Sequence, residues 1–182
     1  MQWHISAWSL FALSPKVELM WQFAGANARA DVHWDMNSTW QVRDVYFTSN
    51  YQSLGPLADP DLRRLWQGLP TTEGLSLTIP LASGNAKEIE HLQGELRFFA
   101  YGNHVLRINP DGHGEILSSD GGLRLSGPLE WQRDGRYRLQ LKIRLSGNAD
   151  LGLRAALSSF GPVNSRGEYD LTIEGSIWTL LR

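Results

Sequence analysis

A single strand pattern occurs twice near the C-terminus of this chain, with its charges inverted between the two copies. Residues 135–142 read GRYRLQLK, and residues 167–174 read GEYDLTIE. In both copies the apolar residues fall on alternate positions, which is typical of a strand with one dry face and one wet face. The wet positions are basic in the first copy and acidic in the second: Arg136, Arg138 and Lys142, against Glu168, Asp170 and Glu174. The two copies therefore predict two half-buried strands of a sheet.

The chain between the two copies bears on how these strands pair. It contains a predicted helix at residues 151–160 and exceeds the dozen or so residues that a parallel crossover needs. If the two strands lie side by side in parallel register, their opposite charges pair across the ladder. Such pairs would select the register more than they stabilise the fold, because they are exposed. The alternative, in which the strands lie apart and both wet faces are solvated, stays open.

Short alternating segments, separated by turn residues, continue through the rest of the chain. Residues 17–23, 32–36 and 75–81 each alternate apolar with polar positions. An Asp-Gly pair at residues 134–135, flanked by alternating segments, is a strong hairpin signal. We expect roughly eight or nine strands at this spacing. The dry-face positions that should be buried are Leu19, Trp21, Trp34, Leu77, Leu125, Leu139, Leu141, Leu171 and Ile173.

Two helices are predicted. Residues 59–68 begin with an Asp-Pro pair and end with a glycine, and residues 151–160 carry an apolar stripe followed by Gly-Pro. Two short helices cannot cover so many strands, so the sheet must curl or pack against a second sheet. The predicted fold class is mostly β, with a curled antiparallel or mixed sheet, or a sandwich-like half-barrel, and two short helices. No shift in composition divides residues 1–182, which we expect to form one domain.

Composition excludes several classes of protein. The chain has no cysteine, so neither disulfides nor thiolate metal sites can contribute. Its formal net charge of −2, from 17 basic and 19 acidic residues, does not indicate a nucleic-acid or membrane-surface binder. The sequence contains neither an apolar run of membrane-spanning length nor a signal peptide. It begins almost directly in a patterned apolar segment, as we expect where an upstream membrane anchor is missing.

Motifs that carry chemistry are scarce. The sequence has no nucleophile elbow, phosphate-binding loop or metalloprotease motif. Its histidines are scattered without metal-ligand spacing, at His4, His33, His91, His104 and His113. Glu88, Glu90 and Glu95 could supply paired carboxylates, but a solvated strand edge is the stronger interpretation. We therefore predict no catalytic residue, no cofactor and no metal site.

The tryptophan content is high, at 8 of 182 residues. Trp21, Trp34 and Trp131 are in register with aliphatic neighbours on predicted dry faces, so most of the rings are expected in the core. The alternative is a row of rings that stacks on sugars, which requires rings on the polar faces of strands. The candidate exposed aromatics, which the pattern does not fix, are Trp3, Trp8 and Trp178.

Several segments together resemble the type II secretion system protein N family (general secretion pathway protein N). The DGRYRL strand at residues 134–139, the Ala/Leu-rich segment at 151–160 and the GEYDLTIEG strand at 167–175 are similar to the strand–helix–strand that closes members of this family. Residues 3–13 are similar to the family's opening segment, apart from Ala7, where the family commonly has proline.

This resemblance implies a non-enzymatic component or assembly factor of the bacterial type II protein secretion system that works through protein contacts. The implied partners are other subunits of that system. The implied location is the periplasm, with the full-length protein held to the inner membrane by an N-terminal helix that this chain lacks. No cofactor and no nucleic acid are expected, and the family has no assigned catalytic residues to transfer.

Two other functions stay open. A curled sheet with one apolar face could hold a hydrophobic ligand such as an acyl chain or a lipid, as a carrier or bridge in the periplasm. A carbohydrate-binding sandwich would instead use exposed tryptophan rings. Lipid carried by the purified domain would favour the first function, and glycan binding through tryptophan would favour the second.

Overall fold

The computed structural model describes residues 2–5, 16–23, 25–35, 38–50, 74–99, 101–147, 151–158 and 161–176 of the chain. These residues form eleven strands and one helix. The strands are β1 (Gln2–Ile5), β2 (Lys16–Phe23), β3 (Ala26–Trp34), β4 (Trp40–Asn50), β5 (Gly74–Gly84), β6 (Ile89–Phe99), β7 (Asn103–Ile108), β8 (His113–Ser118), β9 (Leu123–Trp131), β10 (Arg136–Leu145) and β11 (Glu168–Ser176). The helix is α1 (Leu151–Ser158).

All eleven strands belong to one antiparallel sheet whose spatial order is the order of the chain. The first and last strands do not pair with each other, so the sheet is open and curled. The predicted mostly-β fold with a curled antiparallel sheet is therefore confirmed. Helix α1 corresponds to the second predicted helix, and the helix predicted at residues 59–68 lies outside the described residues.

The strand registers place the alternating apolar residues on one common face, which we call the dry face. One row crosses most of the sheet, each member directly opposite the next: Trp21, Ala28, Phe47, Leu77, Leu96, Leu106, Ile116 and Gly127. Helix α1 covers this face near the C-terminal strands. Leu157 of α1 packs in a buried cluster with Ile116, Leu125, Leu141 and Ile143, so burial of apolar surface joins the helix to the sheet.

The curl brings together turns that are far apart in the sheet. Ile89, at the start of β6, donates its backbone N–H to the carbonyl oxygen of Arg133, in the β9–β10 turn, at 2.7 Å. Ile89 is 3% exposed and lies on the dry face, directly opposite Gly84. Because strands β7 and β8 lie between β6 and β9 in the sheet, this bond requires the sheet to bend around its dry face.

Burial of the predicted dry-face positions agrees only in part with the prediction. Leu125 and Leu141 are buried as predicted. The predicted positions that are only half-buried are Leu19, Trp21, Leu77, Leu139 and Leu171. Trp34 and Ile173 are 44% and 38% exposed, so their predicted burial is wrong. Trp34 is the last residue of β3, and Ile173 lies on an edge strand with a neighbour on one side only.

Candidate protein-interaction surface

The residues predicted to form charge pairs lie on β10 and β11, on the wet face of the sheet, which is opposite the dry face. We call the wet-face side chains of β10, β11 and the neighbouring strand β9 the charged surface. Strands β10 and β11 are neighbours and run antiparallel, so both alternatives, parallel pairing and strands that lie apart, are wrong. The connection through α1 returns the chain to the end of the sheet at which β10 finishes, because the helix packs back onto the dry face there. The direction of β11 changes which charges meet.

Two ion pairs join β10 to β11 on the charged surface. Arg138 Nε donates to Glu174 Oε1 at 2.6 Å, and Arg144 Nη2 donates to Glu168 Oε1 at 2.7 Å. Their partners are set by the antiparallel register, in which Arg138 lies opposite Glu174 and Arg144 opposite Glu168. The hydrogen bond and the charge of Glu174, with a smaller contribution from Glu130, raise the pKa of Arg138 above its ordinary value.

The other members of the predicted set do not form pairs between the two copies. Arg136 lies opposite Ser176 and binds Asp134 Oδ2 at 2.6 Å, within the β9–β10 turn. Lys142 lies opposite Asp170, yet it forms no ion pair with any described carboxylate. Asp170 Oδ2 instead accepts a hydrogen bond from Asn164 Nδ2 at 2.9 Å. The surface therefore keeps an exposed ammonium group at its centre.

Arg124 and Arg144 were not among the predicted site residues, although both belong to the charged surface. They lie directly opposite each other on β9 and β10. Arg144 is at the next wet position after Lys142, so continuing the period-2 pattern by one step would have found it. Arg124 is exposed and forms no ion pair among the described residues. Arg144 is paired with Glu168 and Arg124 is not paired with a described carboxylate, so this end of the surface has an excess of positive charge.

A groove of about 620 Å³ opens at the other end of the charged surface. Its lining carries both signs of charge, from Glu130, Arg136, Arg138 and Glu174, and it also includes Tyr137 and Gly175. A side chain at Gly175 would meet the Tyr137 hydroxyl at 2.7 Å, so the glycine leaves room for that ring.

The predicted histidine and carboxylate candidates do not converge. His104 is 1% exposed, and its Nδ1 lies 2.7 Å from Ser118 Oγ, while its ring lies 4.9 Å from that of Phe98. It is therefore a core histidine. Glu95 forms ion pairs with Arg97 and Arg107. In the described part of the chain, no group of three or more His, Asp or Glu residues could hold a metal ion.

The exposure of the three candidate aromatic rings stays a prediction. Trp3 lies in β1, opposite Leu19. Trp8 and Trp178 lie outside the described residues. Among the residues with a described placement, no helix is both long and apolar enough to cross a membrane.

Comparison with known proteins gives one match. The family model described as type II secretion system, protein N, matches residues 1–172. No curated protein and no solved structure gives a significant match. The family match covers the whole sheet up to β11, including all of β9 and β10 and the first half of β11.

Proposed function

Because the chain belongs to the type II secretion system protein N family, we propose that it serves this system as a non-enzymatic component acting through protein contacts, and that the charged surface makes those contacts. The family consists of structural components of the secretion system rather than enzymes, and it is associated with the periplasm and the cell envelope. We also propose a tether to the inner membrane, which fractionation of the full-length protein would test.

The observation that carries this proposal is that two exposed cations on β9 and β10 have no ion-pair partner among the described residues. Arg124 and Lys142 are exposed and form no ion pairs among the described residues. Lys142 lies between paired residues of β9 and β11, and Arg124 lies opposite Arg144 of β10. Exposed charges on a rigid sheet can attract acidic side chains of a partner without first breaking an existing pair. Complementary charges of this kind increase the association rate and fix the orientation of a complex.

The test is recovery of secretion-system subunits by the full-length protein with both cations reversed. We expect Arg124→Glu with Lys142→Glu to lose most of the subunit that the wild-type protein recovers. A matched control carries Lys87→Glu and Arg43→Glu, which make the same change of charge at exposed positions in the β5–β6 turn and on β4, away from β9–β11. Equal recovery by the wild-type protein and both variants would overturn the assignment to the charged surface. Recovery of no subunit by the wild-type protein would overturn contact as the mode of action.

A second candidate function, a carrier or bridge for a hydrophobic ligand, is favoured by the uneven cover of the dry face. Under α1 this face is buried, but Trp21, Ala28 and Phe47 on β2–β4 are only half-buried, and Trp34 is 44% exposed. Apolar surface of this kind could contact an acyl chain. Native mass spectrometry and solvent extraction of the purified protein test this function, and absence of lipid in both would remove it. A carbohydrate-binding role stays a prediction that a glycan array can test.

A further inference from the structure

The outer edge of β11 has no neighbouring strand among the described residues, and the backbone N–H and C=O groups that point outward along it can be identified. In an antiparallel ladder, the N–H and C=O groups of successive residues point alternately to the two sides. Gln132 donates its N–H to the Arg136 carbonyl at 2.8 Å, so the even-numbered residues of β10 bond to β9. The odd-numbered residues of β10 therefore bond to β11. On β11 it is then the odd-numbered residues that bond back to β10, and the even-numbered residues that point outward.

The segment before β11 supports this assignment and covers only the start of the edge. Asn164 donates its N–H to the Glu168 carbonyl at 2.8 Å, and Asn164 Oδ1 accepts the Glu168 N–H at 3.0 Å. Glu168 is even-numbered, and both of its backbone groups are used on the outer side, as expected. Pro162 has no N–H with which to continue this pairing. The next outward residues, Asp170, Thr172 and Glu174, have no backbone partner on that side in the described structure.

The side chains along this edge select what can pair with it. Asp170 and Glu174 are acidic and lie on the wet face, at either side of Thr172, while Ile173 on the dry face is 38% exposed. A second copy of β11 added antiparallel about Thr172 would place Asp170 opposite Glu174 of the other copy. Like charges in that position are destabilising, and acidic edges generally oppose such pairing. The edge is therefore unsuited to self-association at neutral pH.

We propose that the β11 edge accepts one extended strand from a partner protein, in which apolar residues alternate with Lys or Arg. The model for that strand is β10 itself, because its RLQLK sequence at residues 138–142 already faces Glu174 through Asp170 on the other side of β11. An added strand would bond the open groups of Asp170, Thr172 and Glu174, set its cations beside the two carboxylates, and cover Ile173. This is strand addition to a sheet edge, and it rests on the proposed role in protein contacts.

The test uses a labelled synthetic peptide with the sequence of residues 135–145, GRYRLQLKIRL, and the intact protein. We expect binding by fluorescence anisotropy, with slower hydrogen exchange at the amides of Asp170, Thr172 and Glu174. The same peptide with every Arg and Lys replaced by Glu should bind at least about tenfold more weakly. No binding at millimolar peptide, equal binding of the two peptides, or unchanged exchange at these amides would each overturn the proposal.

Two protein variants locate the binding on the edge. Thr172→Pro removes an outward N–H without touching the bonds to β10, and proline is tolerated on such edges. Thr172→Lys keeps the backbone intact and repels the basic peptide. We expect both to weaken peptide binding about tenfold or more while the melting temperature stays near that of the wild-type protein. If Thr172→Pro fails to fold, Thr172→Lys decides. If these variants lose peptide binding but still recover secretion-system subunits normally, the peptide site on the β11 edge is distinct from the site that contacts the subunits.

Discussion

The indole N–H of Trp131 donates to the backbone carbonyl of Asn109 at 3.1 Å, which ties the end of β9 to the β7–β8 turn. Trp40 makes the corresponding bond to the carbonyl of Asn85, in the β5–β6 turn, at 2.9 Å. Both rings lie on the dry face at the end of the sheet where these turns meet. The high tryptophan content is thus used in part to hold hairpin turns in place, in addition to filling the core.

Replacing the buried indole tests this role. Trp131 is 7% exposed, so Trp131→Phe keeps most of the apolar volume but leaves the Asn109 carbonyl without its donor. We expect the free energy of unfolding to fall by about 1–3 kcal/mol. Urea unfolding measures the change. Trp34→Phe is the control, because that ring is 44% exposed, and an equal loss in the control would contradict the interpretation.

Arg138 on β10 should couple energetically to Glu174 on β11 and not to Asp170 on the same strand. We expect Arg138→Glu to destabilise the protein modestly, since the new carboxylate faces Glu174 and Glu130. Adding Glu174→Arg should recover most of the loss, whereas adding Asp170→Arg should not. A double-mutant cycle from thermal unfolding measures the coupling. Coupling to Asp170 in place of Glu174 would contradict the antiparallel register.

Helix α1 should depend on one leucine for its position. Leu157 is 8% exposed within the cluster under the helix. Leu157→Ala removes that contact and leaves a cavity, so we expect a loss of about 2–5 kcal/mol in urea unfolding. Val163, which is 50% exposed, provides the control, and Val163→Ala should cost less than about 1 kcal/mol. A loss no larger for Leu157→Ala than for Val163→Ala would show that the helix is not docked here.

Gly127 is required by the close approach of β9 and β10. Its φ is +154°, and a Cβ there would lie 1.8 Å from the Gln140 carbonyl oxygen. We expect Gly127→Ala to cost more than about 2 kcal/mol, since the strands must separate locally. Gly147 has no atom within 4 Å of such a Cβ, so Gly147→Ala is the matched control and should be close to neutral. Similar unfolding curves for the two variants would refute this requirement.

Acid should remove the stabilising effect of one loop carboxylate. The backbone N–H and side-chain amide of Asn103 donate to Asp120 and hold its pKa below the ordinary value of 3.8. A carboxyl group whose pKa is lowered by folding stabilises the protein above its unfolded pKa, and the effect is lost as the pH falls through the folded pKa. We therefore expect Asp120→Asn to melt below the wild-type protein at pH 7 and the gap to close below about pH 4. The exposed Glu88→Gln should show no such gap, and a gap that persists in acid would contradict the assignment.

The sequence predicts the strands of this fold better than their directions and irregularities. Alternation in residues 135–145 and 168–174 predicts which side chains share a face, because the side-chain period of a strand is independent of its neighbours. It does not predict the direction of β11, since a helical connection of this length permits either. Parallel pairing of the two copies would have placed Arg138 opposite Asp170, whereas the antiparallel register places it opposite Glu174. Its position on a charged face was predicted correctly.

Positions at which the strand register shifts could not be predicted from the sequence, for a different reason. Leu75, Leu77 and Leu81 read as one dry set, yet the register shifts between Thr78 and Leu81, and Leu81 lies opposite the exposed Gln93. One added residue reverses the face of everything after it. Such a shift depends on the neighbouring strands, so an alternation count within one segment cannot detect it. The unpaired state of Lys142 and Arg124 likewise depends on their neighbours.

The strictly sequential strand order has a consequence for how the chain acquires its structure. Each strand finds its partner in the segment directly before or after it, so the sheet can grow one hairpin at a time with small loop-closure entropy at most steps. At every stage the growing sheet has an unpaired edge strand that could pair with another segment or another chain. Among the described residues, β11 is the last strand in this order, and Asp170 and Glu174 place carboxylates along its outer edge. Because like charges opposite each other are destabilising, this edge disfavours pairing with an acidic segment.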